Sequence, residues 1–384
     1  MAKAKKQTKA GKLSIADMRK LVNKKAGIQV AHDLTGENPT EVKGWIPTGS
    51  RWLNGIICRG QMAGIPVGKI SSIAGLSASG KSYMAAQIAG NAQDMGIQVV
   101  YFDSESAIDP SFLANAGCDI DNVLYVQAQS VEFVLETIEQ LLSSNEGRML
   151  FIWDSLAQTP AISDIAGDFN PLSSMAVKPR ILSKGFAKLT QPIANSEATL
   201  LILNQLKTNI TSNIWEARME PYFTPGGKAL KYAYSLEIWL TARKNKDAKI
   251  FDDKGFQVGS ELKAKIKKSR FGSERSEGRE CGFKITWAGD DVHILDEESW
   301  FEAIKSSEHL RNGGAWWTLV YDDGTEKKFQ GPQWLTLLED EKFRTRVLEL
   351  LDEEVVMKFK EKTGDASAFY SLEGEEDEKA KAKA

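Results

Sequence analysis

The tightest constraint on how this chain folds is the stretch Gly75-Leu-Ser-Ala-Ser-Gly-Lys-Ser82, which fits the pattern G-x-x-x-x-G-K-[ST] at every fixed position. Ahead of it, Gly68–Ala74 reads as a short buried strand, and behind it Tyr83–Ala89 is rich in helix formers. The order is therefore strand, glycine loop, helix. Glycines let such a loop curl until successive backbone N–H groups converge on phosphate oxygens, where a Cβ would obstruct them. The helix then turns its positive N-terminal end toward the same anion. The expected nucleotide-binding residues are Gly75, Ser77, Ala78, Ser79, Gly80, Lys81, Ser82 and Tyr83. Lys81 should reach the outer phosphates and the Ser82 hydroxyl should ligate Mg²⁺. A Gly/Ser turn that matched by chance would not need these flanks.

Beyond the loop, apolar runs alternate with helical patterns. Ile97–Phe102, Val123–Val126, Met149–Asp154 and Ala198–Leu203 read as strands. Ser111–Ala116, Val131–Leu142 and Pro179–Ile193 read as helices, the second with Val131, Val134, Leu135, Ile138 and Leu142 on one face. This alternation predicts an α/β fold, a mostly parallel sheet covered by helices. Ser235–Ala242, Glu261–Lys267 and Cys281–Trp287 follow without long helices between them, which predicts an antiparallel extension. Residues 33–66, with Pro39, Pro47 and repeated glycines, read as loop-rich. Near the N-terminus, Ser14 should cap a helix with Ile15, Met18 and Val22 on one face.

From about residue 296 the texture changes. Gly314–Tyr321 and Thr325–Phe329 resemble a hairpin around Asp322-Asp-Gly324, and Phe343–Phe359 a helix. The expected domains are a basic tail and oligomerisation helix (1–32), a nucleotide-binding core (33–295), a small C-terminal α+β domain (296–370) and a charged tail (371–384).

Composition narrows the class. With 42% hydrophobic and 26% charged residues the chain is ordinarily globular, and no apolar run approaches the roughly 18 residues of a membrane span. Cys58, Cys118 and Cys281 are far apart, and with three scattered histidines they form neither a disulfide framework nor a zinc pattern. A reduced, cytoplasmic protein is expected. Net charge is −3, with nine Lys/Arg against one acid in the first 25 residues and an acidic run at Glu373–Glu378. Such runs are more often solvated tails than binding sites. Any DNA contact must come from local loops of a nearly neutral body.

Ligands of open parallel sheets sit beyond the carboxyl ends of the strands. Asp154 follows four large apolar residues, as a Mg²⁺-organising acid requires, although it could simply cap the turn that begins at Ser155. Glu105 could orient water, and Gln205 could sense a terminal phosphate by hydrogen bonding. A carboxylate or amide at a strand end is otherwise unremarkable. Two long segments, about 161–178 and 206–227, leave from the same edge, and segments of that length in compact domains are usually functional or disordered. Their positive charges are few, among them Lys178, Arg180 and Lys207, so the charge signal for DNA is weak.

At this point the residues resemble the RecA-type recombinases, the bacterial proteins and especially the phage UvsX branch. The likeness runs from about Ile46 to Trp287. It is carried by Phe102-Asp-Ser-Glu-Ser-Ala-Ile-Asp-Pro110, Gly117-Cys-Asp-Ile-Asp-Asn122, Trp153-Asp-Ser-Leu-Ala-Gln-Thr-Pro160, Asn204-Gln205 and Gly226-Gly-Lys-Ala-Leu-Lys231. The resemblance implies Glu105 as the catalytic glutamate, Asp109 and Phe112 at adenine, Asp154 as the magnesium-associated acid and Gln205 as the γ-phosphate sensor. It makes the two long segments DNA-binding loops, with Met175 and Ile210 as apolar wedges between nucleotides. Arg180, Ser183, Gly226 and Gly227 match backbone-contact positions, and Lys207 lies in the second loop. Lys268 and Arg270 match a pair sent to the neighbouring subunit's γ-phosphate, with Lys267-Lys268 leaving the register open by one residue. Ala187 and Asn209 depart from the basic contacts of bacterial relatives.

The expectation is an ATP- and Mg²⁺-dependent recombinase, a DNA-dependent ATPase that forms helical homo-oligomeric filaments on single-stranded DNA. It would pair that strand with double-stranded DNA, in the host cytoplasm if phage-encoded. Single-stranded-DNA-binding and mediator proteins would assist. The rival readings on the same core are a hexameric DNA helicase and a non-DNA signalling ATPase.

Overall fold

In the computed structural model, the described residues are 13–27, 29–35, 40–58, 60–106, 108–145, 147–166, 177–209, 215, 221–243, 245, 248–271, 276–288 and 291–356. Met175, Ile210 and the 371–384 tail lie outside them. The chain divides into two compact units, Met1–Val42 and Lys43–Ala384.

The first unit holds helix α1 (Ile15–Ala26). Ser14 caps it by accepting the Asp17 N–H at 3.1 Å, and Gly27 closes it at φ +71°. None of its residues is buried, so the apolar side chains Ile15, Met18, Leu21 and Val22 stay exposed.

The second unit begins with β1 (Trp45–Ile46), α2 (Arg51–Ile57) and β2 (Ile65–Pro66), the two strands pairing antiparallel. Helix α2 lies in the stretch expected to be loop-rich. Its glycine and short length hide it from periodicity, but Leu53, Ile56 and Ile57 are buried, and a Cβ on Gly55 would meet Val355 at 2.9 Å. Tertiary packing makes this helix.

The main sheet follows in order: β3 (Ile70–Gly75), α3 (Lys81–Asp94), β4 (Gln98–Asp103), α4 (Pro110–Asn115), β5 (Val123–Gln127), α5 (Val131–Ser144) and β6 (Met149–Asp154). Then come α6 (Ile162–Ala166), α7 (Val177–Asn195), β7 (Thr199–Gln205), a short pair β8 (Lys207–Thr208) and β9 (Tyr222–Phe223), and α8 (Lys228–Ala233). The extension is β10 (Leu236–Ala242), β11 (Lys249–Phe251), β12 (Gln257–Ser269), β13 (Glu280–Ala288) and β14 (Asp291–Leu295). Strand order is β14-β13-β12-β10-β3-β7-β6-β4-β5, with β11 beside β12. Pairing is parallel from β10 through β5 and antiparallel from β10 outward to β14. The expected architecture, a parallel sheet with an antiparallel extension, is the one observed.

The central strands are buried on both faces, which is why they read as continuous apolar runs. Along β6, Leu150 and Ile152 join the core shared with α3, whereas Met149, Phe151 and Trp153 join the core under α5 and α7. Helix α5 buries the five residues its spacing singled out. Each such side chain contributes about 1.5–3 kcal/mol.

Beyond β14, α9 (Asp296–Ile304) leads to β15 (Leu310–Gly313), β16 (Trp316–Val320), β17 (Glu326–Phe329), α10 (Trp334–Leu337) and α11 (Glu341–Leu351). The hairpin is therefore two strands of a three-stranded antiparallel sheet. Phe301, Trp317, Phe329, Trp334 and Phe343 interlock edge to face beneath it.

Candidate functional site

The glycine loop joins β3 to α3, and its conformation is set by close packing. A Cβ on Gly75 would stand 2.2 Å from Ser79 Oγ and 2.8 Å from the Leu240 carbonyl. Gly80 has φ +79° and Ala78 φ +56°, both left-handed, which curls the loop back over the start of α3. Ser77 and Ala78 are exposed at the crest, and the Ser79 hydroxyl is buried with no hydrogen-bond partner among the described residues. Lys81 is buried and donates to the Leu76 carbonyl of its own loop at 2.9 Å. Burial lowers its pKa, while Asp154 and Glu105 pull it back up. Such a cradle fits a polyphosphate: a buried ammonium, an unpartnered hydroxyl and no room for a Cβ at its base.

Asp154 ends β6 in register with Asp103 at the end of β4. It is buried, and its carboxylate accepts from the Tyr101 hydroxyl at 2.9 Å. Burial pushes its pKa up, and hydrogen bonds from Ser82 and Tyr101 oppose that shift. Ser82 and Asp154 thus share one spot, and a divalent cation there would relieve the buried charge. Among the described residues there is no group of three or more His, Cys, Asp or Glu placed to hold a metal. The fit is to an ion that takes its remaining ligands from phosphate and water.

Glu105 follows β4 on an exposed bend, and its Oε1 accepts from the Ser155 hydroxyl at 3.2 Å. The bend is held by Asp103, 3% exposed, whose carboxylate takes the N–H groups of Glu105, Ser106 and Ile108 and the Tyr125 hydroxyl. Ser104 stitches the other side, donating to the Asp154 and Ser155 carbonyls and accepting the Ser155 N–H. The Asp154–Ser155 peptide bond is cis. Sequence reasoning passed over Asp103 and Tyr101 as organisers. Their signal was there in principle, since alternate residues of adjacent parallel strands meet on one face.

Gln205 pairs in register with Gly75, and the Leu206 N–H donates to the Gly75 carbonyl at 2.9 Å. Asn204 adds a link: its amide donates to the Pro225 carbonyl at 3.0 Å, just before Gly226-Gly227. Those two glycines have φ +108° and +83°. The second long segment is closed at its base by the β8–β9 pairing, Lys207 opposite Phe223 and Thr208 opposite Tyr222. Arg180 and Ser183 are exposed on α7 and Lys207 is exposed on β8, so the described DNA-contact candidates are available to a ligand.

Among the residues expected to contact the nucleotide, Tyr83 is buried at the start of α3 with its ring edge-on to Phe112, 6.0 Å between centroids. Asp109 caps α4, accepting the Ser111 N–H at 2.9 Å and its hydroxyl at 2.7 Å, which lowers its pKa.

Lys268 lies near the end of β12 and Arg270 just beyond it; through β10 their register falls beside Ser71 and Ser72 at the start of β3, not beside Gly75 where the loop begins. Their side chains donate to the Lys231 and Tyr232 carbonyls at the end of α8. A bulge fixes their register: Glu237 pairs with Lys268 and Ile238 with Ile266, which leaves Lys267 as the extra residue. Lys268 and Arg270 then flank the buried Ser269, on the same side of the strand.

Comparison with known proteins agrees with this arrangement. The family described as the RecA N-terminal domain matches residues 13–286. Protein RecA of Ruminococcus albus is 31% identical over 278 residues, 72% of this chain and 64% of the relative. Protein RecA of Streptomyces avermitilis is 28% identical over 291 residues, covering 75% and 71%. Protein RecA of a Sulfurovum species is 30% identical over 336 residues, covering 87% and 88%. With the glycine loop, the Asp154 strand end and the Gln205 register all in place, the chain belongs to the RecA family of recombinases.

Proposed function

We propose that this protein is an ATP-dependent DNA recombinase that polymerises on single-stranded DNA, pairs it with homologous duplex and hydrolyses ATP at subunit interfaces. The observation that carries this reading is the continuity at the end of β7. Gln205 sits in register with the first glycine of the phosphate loop, and the second long segment starts at the next residue, with its paired stem beginning at Lys207. A side chain that senses a phosphate there is mechanically continuous with a DNA-facing segment.

In this account Lys81 and the curled loop bind the triphosphate, and Ser82 and Asp154 hold Mg²⁺. When bound, that ion neutralises charge developing on the phosphate oxygens. Glu105, steadied by Asp103 and Ser155, takes up a proton from attacking water. Tyr83, Asp109 and Phe112 flank the base. Lys268 and Arg270 serve the neighbouring subunit's site, which supplies the chemical reason for polymerisation: positive charge arrives only with the next protomer. Arg180, Ser183, Lys207, Gly226 and Gly227, with Met175 and Ile210, form the DNA surface. Single-stranded-DNA-binding and mediator proteins would act on the same filament. No helix among the described residues is long and apolar enough to cross a membrane; the cytoplasmic setting belongs to the proposal through its likeness to RecA proteins. The finer placement in the phage UvsX branch rests on the sequence resemblance alone; the relatives compared above, at about 30% identity, are bacterial RecA proteins.

The test is ATP turnover with and without single-stranded DNA. Stimulation is expected; turnover indifferent to DNA would favour a non-DNA ATPase on the same core.

A further inference from the structure

Helix α7 carries an awkward residue in its first turn. Lys178 puts a positive charge at the positive end of a 19-residue helix, where a cation is disfavoured, and it does so half-buried. Burial brings its pKa down to about 8, with Asp164 raising it and Lys207 lowering it further. The compensation is specific. The ammonium donates to three backbone carbonyls, Leu156 at 2.7 Å, Ala157 at 3.1 Å and Thr159 at 2.7 Å. An ammonium has three N–H donors, and all three are used.

Those carbonyls belong to the turn that follows Asp154-Ser155. The turn is otherwise tied into the nucleotide site. The Ser155 hydroxyl donates to Glu105, the Ser155 carbonyl accepts from Gln158, Thr159 and the Thr159 hydroxyl, and the Leu156 N–H bonds to Leu203 on β7. On its other side the turn meets the end of the second long segment. A Cβ placed on Gly226 would stand 3.5 Å from Leu156 Cδ2, and one on Gly227 3.6 Å from Pro179 Cβ, next to Lys178. Three parts are therefore linked through this turn and the ammonium that clamps it: the bend of Glu105 by way of Ser155, the helix that displays Arg180 and Ser183, and the Gly226-Gly227 corner by way of Leu156 and Pro179.

We propose that Lys178 is a positioning residue that couples DNA contact to ATP turnover, clamping the turn after Asp154 to the first turn of α7 through three backbone carbonyls. DNA that pulls on α7 or on Gly226-Gly227 moves the turn, and the turn carries Ser155 and with it Glu105. This inference rests on the DNA-stimulated turnover proposed above.

The experiment measures hydrolysis by the full-length protein against single-stranded DNA concentration for wild type, Lys178→Met and Lys178→Arg. The methionine keeps much of the aliphatic stem and removes every donor, whereas arginine restores donors and charge. Expected for Lys178→Met is a DNA-stimulated kcat about tenfold lower, with the DNA concentration for half-stimulation changed less than about threefold, and recovery of most of the loss in Lys178→Arg. Full stimulation in Lys178→Met would overturn the coupling. So would equal losses in both variants that track a fall in their melting temperatures, because that is a fold effect. Should Lys178→Met not fold, the wild type still decides: hydrogen exchange at the Gln158 and Thr159 amides should slow when single-stranded DNA is added, and unchanged exchange overturns the clamp. A wild type that DNA fails to stimulate overturns the recombinase reading itself; a stimulated wild type matched by Lys178→Met overturns the clamp alone.

Discussion

Lys81 and Asp154 illustrate why this site is poised for a charged ligand. Each is a charged group in a buried place, and burial shifts each pKa toward the neutral form. For Asp154 the sign is clear. Its folded pKa is raised, so the native state holds the proton more tightly, and its contribution to stability falls as pH rises from the ordinary carboxylate range through the raised value. Asp154→Asn should therefore melt higher than wild type at pH 7 without ligand. The difference should shrink toward pH 4, and turnover should drop by about 100-fold or more. Lys81→Ala should fold normally and lose turnover by at least about 100-fold, which paired melting and ATPase assays would show. Glu105→Gln should keep nucleotide affinity within about threefold yet slow hydrolysis by about 100-fold, read by equilibrium binding beside single-turnover kinetics. The placement of these residues was legible in the sequence, because charged side chains at the ends of apolar strands and in a glycine loop stand out. Lys178 was not, since its partners are backbone carbonyls, which any residue provides.

Among the elements, the glycine loop depends on where α3 is seated. A Cβ on Gly90 of α3 would lie 2.5 Å from the Gly117 carbonyl oxygen and 2.8 Å from its carbon, both backbone atoms that cannot swing aside. Gly90→Ala gains roughly 1 kcal/mol in helix propensity, but overpacking against fixed backbone costs about 1–3 kcal/mol. The clash with fixed backbone should win, giving a net loss of up to about 2 kcal/mol in chemical denaturation, with weaker nucleotide binding as α3 shifts. Where one face of a helix is buried, as in α5, spacing alone named the buried residues Val131, Val134, Leu135, Ile138 and Leu142. Elements made by tertiary contact escaped it. Helix α2 forms around a glycine that faces Val355, and the β8–β9 stem joins residues on either side of a polar segment. The bulge opposite Glu237 also needed coordinates, because a one-residue slip between Lys267 and Lys268 leaves no trace in composition.

At the scale of the whole molecule, the proposed function makes the phosphate loop half of a site. Lys268 and Arg270 bond to carbonyls at the end of α8 in their own subunit, so reaching another subunit's phosphate means leaving those carbonyls. Exchange of that kind ties assembly to nucleotide. Arg270→Ala mixed into wild type should then depress turnover more steeply than its mole fraction, because each variant subunit silences its neighbour's site as well as contributing a weak interface. The central claim is that ATP and single-stranded DNA drive open-ended assembly, and electron microscopy tests it most directly. With single-stranded DNA and a slowly hydrolysed ATP analogue, the protein should form continuous helical filaments that shorten or vanish when the nucleotide is withheld. Closed rings of fixed subunit number, or particles indifferent to both ligands, would contradict it.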